Sequence, residues 1–207
     1  MRQRVRNVSN RSAVLALVAG LIAASALAFA DHSARRPPAL HQAAAASRLA
    51  LHSPDVAPGG TIALGHVYDE SGCHGGNISP ALSWTHPPAE TRSFAVLMFD
   101  PDAPGGGWWH WAAFDIPAGV TSLRAGAGNP GRQLLPAGAI QSRNDFGSLG
   151  YGGPCPPPGP PHHYHLMVYA LRLARLGLDA GGSAAQVAAK ARSNALAEAE
   201  IVGVYGR

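Results

Sequence analysis

Ser93 to Asp100 reads SFAVLMFD, an uninterrupted apolar run that delivers a carboxylate at its end and closes at Pro101. A run this short, bounded by turn residues, predicts a strand buried on both faces rather than a helix. The turn PDAPGGG follows, and a second apolar run, His110–Ile116, brings the chain back. Asp100 and His110 can therefore meet at one rim of a buried sheet, where a carboxylate fixes an imidazole tautomer and raises its basicity. From Ser47 onward, further short strand-like stretches are separated by Gly, Pro and Asn clusters: Arg48–His52, Thr61–Leu64, Ala81–Trp84 and Tyr164–Leu173. This spacing predicts an all-β-dominated sandwich. One helix is predicted from a Ser183 cap, with Gln186 completing a capping box and a body over Ala184–Ala199. A closing strand, Glu200–Tyr205, comes after it. The stretch Gly119–Gly159 shows no clear element, and a loop that long inside a domain is usually functional or misassigned.

The proline-rich segment Cys155–Pro161 leads into His162-His163-Tyr164-His165. In a strand starting at His162, His162, Tyr164, Leu166 and Val168 share one face, and His163, His165, Met167 and Tyr169 the other. One face thus offers an imidazole beside a phenol. Gly152, Gly153 and Gly159, in the segment just upstream, let backbone N–H groups approach a small ligand. The residues by themselves fit a plainer arrangement equally well, with Asp100 and Asp102 capping a turn, His110 satisfied in the core and the later histidines on a solvated edge.

Charge changes the picture at the N-terminus only. The 207 residues carry 16 basic and 12 acidic side chains, but Arg2, Arg4, Arg6 and Arg11 precede every acidic one, so the chain after residue 30 is neutral. Composition therefore offers no basic surface for nucleic acid. The arginines instead lead an Ala/Leu/Val run, Ala13–Ala28, with a small-x-small site at Ala28-Phe29-Ala30. Residues 1–30 are expected to be a cleaved export signal, the alternative being a retained membrane anchor. Residues 31–46 read as a linker or disordered tail, and 47–207 as the domain. An exported protein, periplasmic or secreted, meets oxidising conditions, so its two cysteines, Cys73 and Cys155, are expected to pair; the alternative is two buried thiols.

Several motifs then stand in order: Asn77-Ile78-Ser79-Pro80 with Leu82-Ser83-Trp84, Asp100-Pro101-Asp102-Ala103-Pro104, His110-Trp111, Gly150-Tyr151-Gly152-Gly153-Pro154-Cys155-Pro156-Pro157, His162-x-Tyr164, and Ala199-Glu200-Ile201-Val202-Gly203-x-Tyr205. Together they resemble the phosphatidylethanolamine-binding protein family, which includes Raf kinase inhibitor protein, over nearly everything from Arg48 to the C-terminus. The resemblance implies an antiparallel β-sandwich with a C-terminal helix and a small pocket for phosphate-like anions and phospholipid head groups. Carried over by position, the pocket uses Asp100, His110, His162 and Tyr164, lined by Asp102 and Pro154. The chain departs from the family pattern at His163, where Arg is usual, at His74, where Asp is common, and in a proline loop one residue longer.

These readings lead to an exported, non-catalytic binding protein for a small anionic or phosphorylated ligand, with no cofactor and no metal. His110, His162 and the Tyr164 hydroxyl are expected to donate to ligand oxygens while Asp100 orients an imidazole. Binding should strengthen as pH falls towards the histidine range. Membrane contact is expected only through the leader or lipid head groups. Two other classes stay open: a metal-dependent or His/Asp acid–base hydrolase using the same pocket, and an inhibitor or modulator of a protein partner in the envelope. Hydrolysis is disfavoured by the lack of a Gly-x-Ser-x-Gly elbow and of a helix start beside Cys155.

Overall fold

The computed structural model describes residues 48–207. The predicted export signal and the tail over 31–46 lie outside the described residues. Eight strands and one helix form the domain: β1 (Ala50–His52), β2 (Leu82–Thr85), β3 (Ser93–Asp100), β4 (Trp108–Pro117), β5 (Ser122–Leu123), β6 (Ile140–Gln141), β7 (His162–Leu171), α1 (Ala184–Asn194) and β8 (Ala195–Tyr205). Strands β6-β4-β3-β7-β8 make a five-stranded sheet and β1-β2-β5 a three-stranded one, with antiparallel pairing throughout both.

β3 is apolar along its whole length because both of its faces are covered. Phe94, Val96 and Met98 pack towards Leu51, Leu82, Trp84 and Leu123 of the small sheet, while Ala95 and Leu97 pack towards Val187, Ala188 and Ala191 of α1. The arrangement is small sheet, large sheet, helix. Each fully buried Val, Leu or Phe in such a core contributes on the order of 1.5–3 kcal/mol of transfer free energy. The helix forms where its cap signal lies: Ser183 Oγ accepts from the Gln186 N–H, and the Gln186 side chain accepts from the Ser183 N–H.

The sequence-based element boundaries need three corrections. The helix stops at Asn194, and Ala195–Ala199 joins β8 instead, where Ala195, Ala197 and Ala199 pair with Leu171, Ala170 and Val168. Alanine favours helix locally, but the long ladder with β7 outweighs a propensity of tenths of a kcal/mol per residue. Thr61–Leu64 is not a strand: only Gly60 and Ile62 bond to Val204 along the margin of β8, after which Leu64–His66 tightens into a 3-10 turn. Finally, Gly119–Gly159 holds β5 and β6, each two residues long and too short for a periodic signal.

The β3–β4 ladder is irregular at one consequential place. Met98 pairs with Trp111 and Phe99 with Trp109, so His110 is the extra residue of a β-bulge. Bulges redirect side chains. Trp111, Ala113 and Ile116 lie in the main core, while Trp109 packs on the helix side. His110, freed from strict alternation, meets Tyr164 of the main-core face, their rings 5.2 Å apart and nearly perpendicular.

Candidate functional site

At the rim where β3, β4 and β7 converge lies a cavity of about 290 Å³. Asp100, His110, His162 and Tyr164 line it together. Asp100 ends β3 on the main-core face, and its carboxylate is fully engaged: Oδ1 accepts from the Asp102 N–H at 2.9 Å and Oδ2 from His162 Nδ1 at 2.7 Å. This hydrogen bond sets the His162 tautomer, with the proton on Nδ1 and Nε2 left for a ligand. His110 is held the same way by backbone. Its Nδ1 lies 2.7 Å from the Gly152 carbonyl, which can only accept, while the Gly152 N–H donates back to the His110 carbonyl.

Burial governs the charge state of the floor. His110 is 2% exposed, and desolvation pushes its pKa below the usual imidazole value, against the opposing pull of the Gly152 carbonyl and Asp100. His110 is therefore neutral around pH 7 and presents Nε2 as an acceptor, which corrects the sequence-based expectation that it donates. Tyr164 is fully buried, and desolvation, helped by Asp100, raises its pKa well beyond that of an ordinary phenol. Its hydroxyl stays protonated and is a buried donor with no partner in the protein.

Asp102 and Pro154, expected to line the pocket, are not among its lining residues. Asp102 turns outward and accepts from both the backbone N–H and Nδ1 of His163, which hold its carboxyl below the usual carboxylate range. His163, at the position where the family usually has Arg, thus ties the start of β7 to the turn after β3. Pro154 is buried behind the wall, its carbonyl accepting from the Tyr68 N–H at 3.1 Å. The walls themselves come from Ala103, Pro104, Pro156 and Pro157, which the motifs contain but to which the sequence reading gave no pocket role, and from Trp108 and Phe146, which it did not single out. Phe146 stacks on Tyr68 at 4.1 Å and meets Trp108 and His110 edge-on. Its only sequence signal was its place inside the long loop. A disulfide joins Cys73 to Cys155, Cα atoms 5.9 Å apart, and Cys155 itself faces the cavity.

Residues 52–206 match the family model described as phosphatidylethanolamine-binding protein. The chain belongs to the phosphatidylethanolamine-binding protein family. It is 45% identical to the UPF0098 protein YbcL of Escherichia coli K12 over 187 residues, covering 89% of this chain and 97% of that one. The crystal structure of E. coli YbcL superposes with a TM-score of 0.76 over 78% of this chain and 99% of that one. A phosphatidylethanolamine-binding protein homologue of Chlamydia trachomatis is 30% identical, with a TM-score of 0.65 over 77% of this chain and 98% of that one. Among sequence relatives, a lipoprotein candidate of Mycobacterium tuberculosis H37Rv, LppC, is 35% identical over 79% of this chain and 75% of its own length.

Within this phosphatidylethanolamine-binding family member, the Asn77–Pro80 motif has a structural task. Asn77 Oδ1 accepts from the Gly153 N–H and its Nδ2 donates to Asp69, while Ser79 Oγ accepts from the Gly128 N–H. The motif thereby holds the Gly152–Pro154 segment against His110.

Proposed function

We propose that this protein is an exported, non-catalytic binding protein for a small phosphorylated or otherwise anionic ligand, phospholipid head groups included, held in the cavity between β3, β4 and β7. The observation that carries the reading is that buried polar atoms of His110, Tyr164 and Trp108, all lining this cavity, have no protein hydrogen-bond partner. Buried polar groups are nearly always paired, and three of the four unpaired ones among the described residues belong to residues of this one cavity, the fourth being Trp84 Nε1 in the core, which supports a ligand there. A binding role is favoured over thiol-based hydrolysis because the two thiols of the chain are consumed in the disulfide.

His162→Ala is expected to weaken binding of inorganic phosphate at pH 6 by roughly 1.5–3 kcal/mol, the range for hydrogen bonds to charged groups. Calorimetric titration of wild type and variant checks this. Equal affinities would remove His162 from the site, and no phosphate binding by the wild type would remove the anion pocket.

Export is supported by the arginine-led apolar leader, by the disulfide and by the lipoprotein candidate among the relatives. The match to YbcL covers 89% of the chain, more than residues 48–207 supply, so it reaches into the N-terminal segment. N-terminal sequencing of the exported form is expected to begin at or near Asp31. A full-length, membrane-retained product would instead identify an anchor.

A further inference from the structure

His163 and His165 take no part in lining the cavity. They stand on the face of β7 opposite His162 and Tyr164, and among the described residues no other two histidines are spaced two apart on one strand. We propose that Nε2 of His163 and Nε2 of His165 chelate a divalent late-transition cation of the zinc–copper class at the start of β7, with Asp102 and Glu200 orienting the two rings. The site lies on the other face of the sheet from the cavity and does not depend on what the cavity binds.

Backbone geometry sets the two rings side by side. The β7–β8 ladder is regular there, with His163 opposite Val204 and His165 opposite Val202. Both side chains therefore leave the same face of the sheet, from Cα atoms about 6.6–6.8 Å apart. The carboxylates settle which nitrogen each ring offers. Asp102 Oδ2 lies 2.8 Å from His163 Nδ1, and Glu200 Oε1 is bonded to His165 Nδ1. A carboxylate accepts, so a neutral imidazole held this way keeps its proton on Nδ1 and leaves the Nε2 lone pair for a ligand. Asp102 follows β3 and Glu200 belongs to β8, the strands on either side of β7. The two nitrogens of an imidazole look away from each other across the ring. Each carboxylate therefore turns its partner's Nε2 back over β7, from opposite sides.

Metal-binding histidines use this arrangement: one nitrogen coordinates while the other N–H is held by a carboxylate, which fixes the ring and raises its basicity. An ion can reach the pair, since the His163 side chain is 56% exposed and that of His165 31%. Imidazole nitrogens select zinc and copper over magnesium and calcium, which take oxygen ligands. Copper(II) is the tighter of the two in the Irving–Williams order. No group of three or more His, Cys, Asp or Glu among the described residues can hold an ion. Two imidazoles thus leave the remaining positions to water, giving an exchangeable site rather than the closed four-ligand kind that holds a fold together. His163 stands where the family usually has Arg, which has no lone pair to offer a metal, so the pair is a feature of this chain rather than of the family pattern.

Calorimetric titration of zinc chloride into the full mature protein, purified without a histidine tag, tests the site at pH 7.5. His163→Asn and His165→Asn each keep an N–H donor for the carboxylate and remove Nε2, so they separate coordination from the hydrogen bonds to Asp102 and Glu200. Each is expected to weaken zinc binding by roughly tenfold or more, at least what loss of an orienting partner costs. The double variant is expected to lose no more than either single one, because a chelate that has lost one arm is already lost. Asp102→Asn is expected to cost less than the His163 change, up to roughly tenfold, since that pair is solvent-exposed. His86→Asn, at an exposed histidine beyond β2, is expected to match wild type. No zinc binding by the wild type, or equal affinity in the wild type and the His163 and His165 variants, would overturn the proposal. Losses that add in the double variant would show two independent imidazoles and would overturn the chelate.

Discussion

Replacing both cysteines by serine is expected to lower stability by up to about 4–5 kcal/mol, the chain-entropy value for a loop this long, and to weaken phosphate binding. The bridge spans 82 residues of sequence, so in the unfolded chain it removes a large loop-closure entropy. In the folded protein it ties the segment carrying Ser71 to the segment carrying Cys155 and Pro156, which are opposite contributions to one cavity wall. Arg207 spans the same gap, donating to the carbonyls of Pro156 and Gly72, so part of the wall keeps its place without the bridge. The stability loss is therefore expected to exceed the binding loss. Denaturant unfolding of the exported protein and the Cys73→Ser/Cys155→Ser variant, followed by phosphate titration of each, measures both. Coincident unfolding midpoints would mean the bridge contributes nothing to stability, and two free thiols per unreduced chain would mean it does not form.

Gly153→Ala is expected to be the most damaging single methyl group near the site. A Cβ there would stand 2.1 Å from the His66 carbonyl oxygen and 2.6 Å from the Tyr68 backbone nitrogen. These are backbone atoms, and they cannot swing aside as a side chain would. The Tyr68 N–H is bonded to the Pro154 carbonyl and the Gly153 N–H to Asn77, so the collision cannot be relieved without breaking one of them. Overpacking of this kind costs roughly 1–3 kcal/mol, and more where backbone must move. The shift also carries the Gly152 carbonyl away from His110 Nδ1, and with it the tautomer that leaves Nε2 as an acceptor. Lower stability and weaker phosphate binding should appear together. Gly119→Ala, where an added Cβ meets nothing within 4 Å, is the matched control and should stay close to wild type. A Gly153→Ala protein as stable as that control would show that the segment is not pinned.

What the sequence determined by itself is the part encoded in local pattern. The unbroken SFAVLMFD run implied a strand covered on two sides, and Phe94 and Ala95 do face different layers. The period of two from His162 put His162 and Tyr164 on one face, and the Ser183–Gln186 capping box set the start of α1, because each of these depends only on neighbours a few residues away. Motif order was enough for the family. Everything that depends on partners distant in sequence was left to the tertiary structure. Ala195–Ala199 is helical by composition and a strand by virtue of β7, and Phe146 becomes a wall of the cavity only because Tyr68, some eighty residues earlier, stacks on it. His110 reaches Tyr164 through a bulge with no mark in the residues of β4, since alternation from Trp111 would send it to the helix side. Its chemistry was likewise invisible in the sequence. A histidine becomes an acceptor or a donor according to what occupies its other nitrogen, and here that group is the Gly152 carbonyl, 42 residues away along the chain.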